Sequence, residues 1–128
     1  MIRSFPFGFA TVLATAAMAS PVLAHPKLAS ASPAVNSTGA SPKHIVLSFN
    51  EKLIAKFSGA DLVMTDMPGM KMKAPMKMAA TSMVYGADGK SLMVMPAKPL
   101  PAGTYKVAYR VVAGDSHRIT GGYAFRVK

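Results

Sequence analysis

The feature that most constrains the fold is a series of short segments in which apolar and polar side chains alternate. This period of two is typical of β-strands that bury one face. Turn residues such as Pro101-Ala102-Gly103 and the Gly121-Gly122 pair separate the segments. The pattern predicts an all-β fold, an antiparallel Greek-key sandwich of the cupredoxin- or immunoglobulin-like kind with about seven strands. A small barrel and a jelly roll are the alternatives. The strands are predicted at residues 43–49, 60–65, 91–95, 104–112 and 122–127, with weaker candidates at 27–32 and 78–84 and a turn of helix at 51–57.

The start of the chain has the pattern of a secretory signal peptide. Arg3 precedes an apolar run from Phe5 to Ala19 that is too short to span a bilayer, and Val22 and Ala24 suit the peptidase positions. We expect cleavage after Ala24. Residues 1–24 are then the signal peptide, and residues 25–128 form a single exported domain, about a hundred residues long, that is not transmembrane.

Cleavage after Ala24 makes His25 the first residue of the mature protein. A terminal amine and the Nδ1 of the same imidazole can chelate one ion in a ring that suits square-planar Cu(II). The sequence therefore suggests copper as a ligand. The alternative is that His25 falls at the cleavage point without a role.

Composition limits the other donors and partners. The chain has no cysteine, which excludes disulfides and thiolate ligands and leaves methionine as the sulfur donor for a soft metal. Lys and Arg outnumber Asp and Glu by 15 to 5, but the basic residues are scattered and no aromatic platform lies among them. We expect no nucleic-acid partner, and at most a weak attraction to anionic lipid head groups.

A second donor group lies near the end of the chain, at Asp115 and His117. In an extended segment, residues two apart project to the same side, so the carboxylate and the imidazole could meet one ion. Alone, the pair is weak evidence, and a surface turn in which Asp115 caps a backbone amide is the favoured interpretation. Together with His25 it offers donors that suit Cu(II).

Methionines crowd the segment 64–78, where Pro68, Gly69 and Pro75 indicate an irregular loop and lysines alternate with the methionines. Methionine is usually core filler, but this segment cannot all be buried. Neutral thioethers bind soft Cu(I); a sticky protein-interaction loop is the alternative. The predicted Cu(I) ligands are Met64, Met67, Met70, Met72 and Met76. For Met83, Met93 and Met95, on strand-like segments, we expect packing in the core or on a sheet face.

Five motifs in order resemble the CopC family of periplasmic copper-resistance proteins, over essentially the whole mature chain. The resemblance implies a seven-stranded Greek-key barrel or sandwich related to cupredoxins, and a periplasmic copper carrier or buffer. It implies Cu(II) at His25, Asp115 and His117, with Glu51 as a weak ligand or neighbour, and Cu(I) in the methionine loop at the other end. It also implies an inner-membrane copper-transport partner of the CopD type. The motifs lie at residues 25–28, 57–60, 67–70, 101–107 and 115–121.

The chain departs from the family pattern in its methionine loop. Met72 stands where relatives often carry a histidine, so the donors of this loop are all thioethers. The loop should keep its preference for Cu(I), but any binding of Cu(II) that depends on a loop imidazole is in doubt. Arg118 follows the site histidine where a proline is common. His44 matches no family ligand and is predicted to face solvent.

Two other functions compete with a copper binder that has no turnover. A terminal histidine with a second imidazole also forms the histidine brace of copper monooxygenases. Those enzymes need an open coordination position and exposed aromatic residues, whereas this chain has no Trp and Asp115 would occupy coordination space. The third possibility is a basic immunoglobulin-like module that binds no metal.

Overall fold

The computed structural model of the chain describes residues 26–114 and 116–128, which form two β-sheets packed on a common core. The described strands are β1 (Leu28–Ser32), β2 (Thr38–Gly39), β3 (Ile45–Phe49), β4 (Gly59–Asp66), β5 (Met76–Met78), β6 (Ala80–Tyr85), β7 (Ser91–Pro96), β8 (Gly103–Val112) and β9 (Arg118–Val127). A 3-10 turn at Ala55–Phe57 lies between β3 and β4.

The four-stranded sheet has the order β1-β3-β7-β6, and the five-stranded sheet has the order β2-β9-β8-β4-β5. The strand pairs are antiparallel, apart from the short parallel pair of β2 with β9. The chain crosses between the sheets after β1, β2, β3, β5 and β7. The predicted all-β antiparallel sandwich is confirmed.

The core lies between the sheets because the central strands alternate buried and more exposed side chains. In β3, Ile45, Leu47 and Phe49 are buried while the residues between them are half-buried. From the five-stranded sheet, Tyr105 stacks on Phe125 with ring centroids 5.5 Å apart. Each such side chain, fully buried, contributes about 1.5–3 kcal/mol.

The strand predictions differ from the structure in number and in bounds. The described residues form nine strands where seven were expected, because two short strands, β2 and β5, are added. The weak candidate at 78–84 is divided between β5 and β6, and the candidate at 27–32 is β1. The turn of helix expected within 51–57 is the 3-10 turn at Ala55–Phe57.

The turn predicted at Gly121 and Gly122 is wrong, since both glycines pair within β9 and this strand begins at Arg118 rather than at residue 122. The ring of Tyr109 lies over Gly121, so closely that a Cβ there would strike it. These glycines therefore serve close packing within the sheet rather than a change of direction.

Within residues 26–114 and 116–128, no helix has both the length and the apolar character needed to cross a membrane. The predicted signal peptide, residues 1–24, lies outside the described residues and stays a prediction.

Candidate functional site

The N-terminal end of the described chain is fixed to the segment that follows β3. The Lys27 backbone N–H donates to Asn50 Oδ1 at 2.7 Å, and the Asn50 N–H donates to the Lys27 carbonyl at 3.1 Å. Pro26, next to them, is fully buried. Glu51 follows Asn50 and is half-buried. Lys27, two positions after His25, is therefore anchored to the residue that precedes Glu51.

The same segment contacts the end of β8. Leu53 forms an isolated antiparallel bridge with Ala113, and the Ile54 N–H donates to the Val112 carbonyl at 2.7 Å. The loop between β8 and β9, which carries His117, begins at Ala113. The N-terminal residues, Glu51 and this loop thus lie at one end of the sandwich.

A tight turn shapes the loop that carries His117. The Ser116 N–H donates to the Ala113 carbonyl at 3.0 Å, and Ser116 adopts the left-handed conformation with φ 64°. His117 follows it and is exposed. A hollow of about 370 Å³ borders the loop, lined by Ile54, Phe57, Val112, Ser116 and Arg118.

Two of the predicted Cu(II) ligands, His25 and Asp115, lie outside the described residues, so their placement stays a prediction. Among the residues that the structure describes, no three His, Asp or Glu side chains are grouped closely enough to hold a metal ion. Of the predicted ligands at this end, the structure describes His117 and Glu51.

The methionine loop runs from the end of β4 to β5 and contains a tight turn at Met67-Pro68-Gly69-Met70. The Met70 N–H donates to the Met67 carbonyl at 3.1 Å, and Gly69 has φ 77°. Proline followed by a glycine at positive φ fits a type II turn. This turn brings Met67 and Met70 together as bridge partners.

The loop methionines differ in exposure. Met70 is 63% exposed and Met76 is 54% exposed. Met67 and Met72 are half-buried and pack against the core. Lys71 and Lys73, on either side of Met72, are exposed. Met70 in the loop and Met76 at the start of β5 therefore present their thioethers at the surface, and exposed lysines lie on the same segment.

Met64 is not in the exposed loop as the sequence suggested. It belongs to β4 and is 1% exposed, inside the core, where it lies directly opposite Met76 in the β4–β5 ladder. The alternation of β4 fixes this orientation, because Leu62 and Met64 both face inward. Exposure to solvent is the argument for a Cu(I)-binding role of these methionines, and it does not apply to the buried Met64.

The expectations for the remaining histidine and methionines agree with the structure. His44 is exposed, as predicted. Met83 packs against the core, and Met93 and Met95 are half-buried on β7. Sequence reasoning missed Asn50 as the anchor of the N-terminal residues, because its partner Lys27 is 23 positions away and no local pattern links them.

The two candidate sites lie at opposite ends of one strand. The methionine loop adjoins the start of β8, where Thr104 pairs with Asp66, and the His117 loop follows the end of β8 at Val112. A strand of 10 residues spans about 30 Å. No single copper ion can contact both His117 and the methionines of the loop.

Comparison with known proteins agrees with this architecture. The CopC domain family matches residues 28–128. Copper resistance protein C of Escherichia coli is 51% identical over 106 residues, which cover 83% of each chain. Copper resistance protein C of Pseudomonas syringae pv. tomato is 49% identical over 125 residues, 98% of this chain and 95% of the relative.

A solved structure shares the fold. The crystal structure of PcoC, a methionine-rich copper resistance protein from Escherichia coli, superposes with a TM-score of 0.74 at 50% sequence identity. The match covers 82% of this chain and 100% of that one. The family match over most of the chain, together with these relatives and the shared sandwich, shows that the chain belongs to the CopC domain family.

Proposed function

We propose that the mature chain is a periplasmic copper-binding protein that acts in copper resistance as a buffer or carrier. Its relatives in two bacteria are named copper resistance protein C. The observation that supports the proposal is that the exposed His117 and the methionine loop adjoin opposite ends of the 10-residue strand β8, about 30 Å apart. An imidazole suits Cu(II), and thioethers suit Cu(I).

The proposed Cu(II) site consists of the amine and imidazole of His25, the carboxylate of Asp115 and the imidazole of His117. Support comes from the described neighbours of these residues. The Lys27–Asn50 hydrogen bonds and the Leu53–Ala113 bridge hold the chain after His25 and the loop that carries His117 at one end. Glu51, half-buried beside Asn50, is proposed as a weak ligand or as a neighbour that orients one.

The proposed Cu(I) site uses the loop thioethers of Met67, Met70, Met72 and Met76. The turn at Pro68-Gly69 supports it by bringing two of these residues together. Met64, buried opposite Met76, is proposed to support the loop from the core rather than to bind the ion.

Charge around the loop favours the lower oxidation state. Lys71 and Lys73 are exposed on the loop itself, and a positive charge repels a divalent ion twice as strongly as a monovalent one at the same distance. Neutral thioethers do not offset this repulsion, and the exposed carboxylate of Asp66, which directly precedes Met67, offsets only part of it. The loop is therefore proposed to prefer Cu(I) to Cu(II).

We propose binding without catalytic turnover. The competing function, a histidine-brace oxidase, predicts that the copper-loaded protein drives ascorbate-dependent peroxide formation faster than the same amount of free copper. A binder predicts a slower rate than free copper. The inner-membrane partner of the CopD type remains a prediction.

Paired substitutions at the two ends test the proposal. His117→Ala is expected to weaken Cu(II) binding by at least about tenfold and to leave the Cu(I) affinity of the loop unchanged. Met76→Leu is expected to do the reverse. Met78→Leu, two residues along the same strand and half-buried, is the matched control and should change neither affinity. If either His117→Ala or Met76→Leu weakened both ions equally, the two-site proposal would fail.

A further inference from the structure

The solvent-facing side of the four-stranded sheet carries two methionines that neither proposed copper site uses. In β7 the side chains of Leu92 and Val94 are buried, so Met93 and Met95 point away from the core. Met93 lies between Val46 of β3 and Val84 of β6 in the register. Val84 is 46% exposed, so this part of the face is open to solvent.

His44 lies on the same face. Ile45 pairs with Val94, and continuing this antiparallel register by one residue sets His44 opposite Met95. Ile45 is fully buried and His44 is exposed, as the alternation along an extended chain requires. Directly opposite side chains have Cβ atoms about 4.5–5.5 Å apart, and diagonal ones remain within reach of long side chains. His44 can therefore meet Met95 directly and Met93 diagonally.

The other side of Met95 is also defined. Ser82 of β6 pairs with Met95, and its hydroxyl lies 3.9 Å from the Met95 sulfur. The Ser82 hydroxyl thus contacts the Met95 thioether from β6, on one side of β7. His44 lies on the other side of β7, next to β3. Methionine has three rotatable bonds, so both sulfurs can turn toward an ion beside the imidazole.

We propose that His44, Met93 and Met95 form a separate surface site for a soft monovalent ion, Cu(I) or Ag(I). One imidazole nitrogen and two thioether sulfurs suit such ions, and the three donors bring no negative charge. In the described part of this face, the strand positions around them carry Ser and Val side chains rather than carboxylates. This environment disfavours Ca²⁺, Mg²⁺ and other ions that need oxygen ligands.

The position of this site separates it from both sites of the proposed function. Residues 97–102 lead from the end of β7 to the start of β8, so Met95 lies at the end of the sandwich that carries the methionine loop. The loop, however, extends from the five-stranded sheet, whereas His44, Met93 and Met95 are on the outer face of the other sheet. The proposal therefore does not depend on whether the loop binds Cu(I).

Silver binding observed by NMR tests the site. The mature protein carries carbon-13 in its methionine methyl groups and is titrated with Ag(I) alone, a soft ion that does not change oxidation state. The methyl signals of Met93 and Met95 and the ring signals of His44 should shift together with one binding constant. The methyl of Met83, which faces the core from β6, is the internal control and should not follow that curve.

Two variants complete the experiment. His44→Ala should weaken the binding reported by Met93 and Met95 by at least about tenfold and lower the total Ag(I) bound by one equivalent. Lys43→Ala, an equally exposed neighbour, should change neither. Both positions are exposed, so both variants should fold. The site does not exist if the two methyl signals fail to shift with Ag(I), or if they shift with the same affinity in His44→Ala.

Discussion

Met64 and Met76 lie directly opposite each other in the β4–β5 ladder, yet Met64 is 1% exposed and Met76 is 54% exposed. The two residues mark the boundary between the core and the methionine loop. Thioethers on one sheet face can therefore differ completely in their access to an ion in solution, and sequence spacing alone does not distinguish them.

The first prediction follows from this difference. Met64→Leu should leave the Cu(I) affinity of the loop unchanged, because the buried sulfur is not proposed as a ligand. As a volume-conserving core change it should cost less than about 1.5 kcal/mol of stability. Competition with a Cu(I) chelator measures the affinity, and urea unfolding measures the stability. An affinity loss as large as that in Met76→Leu would place Met64 among the ligands.

The second prediction concerns the packing of Tyr109 over Gly121. Gly121→Ala should destabilise the fold by about 1–3 kcal/mol, because the added methyl group would overlap the tyrosine ring and force it to move. Gly39→Ala is the matched control, since no atom lies within 4 Å of a Cβ added there. Thermal unfolding of both variants measures the effect, and equal melting temperatures would contradict the packing described.

Much of the sandwich could be predicted from the sequence because its strands bury one face and so alternate. Residues 43–49 and 104–112 were predicted within two residues of β3 and β8. The start of β9 was missed, because Gly121 and Gly122 resemble a turn unless the ring of Tyr109 is known to lie above them. The short strand β2 was also missed, since its two residues pair with distant Arg126 and Val127.

For the candidate sites, the sequence suggested which residue types take part, but it did not predict how deeply each side chain is buried. The Pro68-Gly69 pair correctly marked a break in the strands, and the structure makes it a turn between two methionines. The burial of Met64 was missed because it depends on the phase of β4, which follows from the inward position of Leu62. The contact of Lys27 with Asn50 depends on tertiary structure alone.

The third prediction contrasts two tyrosine hydroxyls. Among the described residues, the Tyr123 hydroxyl is a buried side-chain group without a hydrogen-bond partner, whereas the Tyr85 hydroxyl donates to the Ser58 carbonyl. Tyr123→Phe should preserve or raise stability, and Tyr85→Phe should lower it by about 0.5–1.5 kcal/mol. Urea unfolding of both variants at neutral pH checks this, and the opposite order would contradict it.

The same tyrosine gives a fourth prediction, at alkaline pH. Burial raises the pKa of Tyr123 from 10.0 to about 12. The unfolded chain therefore ionises first, so this group leaves the free energy of unfolding unchanged below about pH 10 and lowers it as the pH rises toward 12. Unfolding free energies at several pH values should fall less steeply in Tyr123→Phe than in the native protein. Identical slopes would show that Tyr123 ionises equally in both states.

The fifth prediction uses acid to separate the two proposed copper sites. Cu(II) must displace protons from the amine and imidazole donors, whereas thioethers have no proton to lose. Lowering the pH from about 7 to about 5 should release Cu(II) far more readily than Cu(I). Retention of each oxidation state is measured on the mature protein, with Cu(I) kept under anaerobic conditions. Parallel loss of both ions would mean that a histidine shares the Cu(I) site.

The most direct test of the central claim is a Cu(II) titration of two versions of the protein, one that begins at His25 and one with a single Met before it. The extension keeps both imidazoles, Asp115 and the fold, and it removes only the chelate ring that the terminal amine forms. We predict that the extended protein binds Cu(II) at least about tenfold more weakly, with an unchanged Cu(I) affinity. Equal Cu(II) affinities for the two proteins would contradict the proposed site.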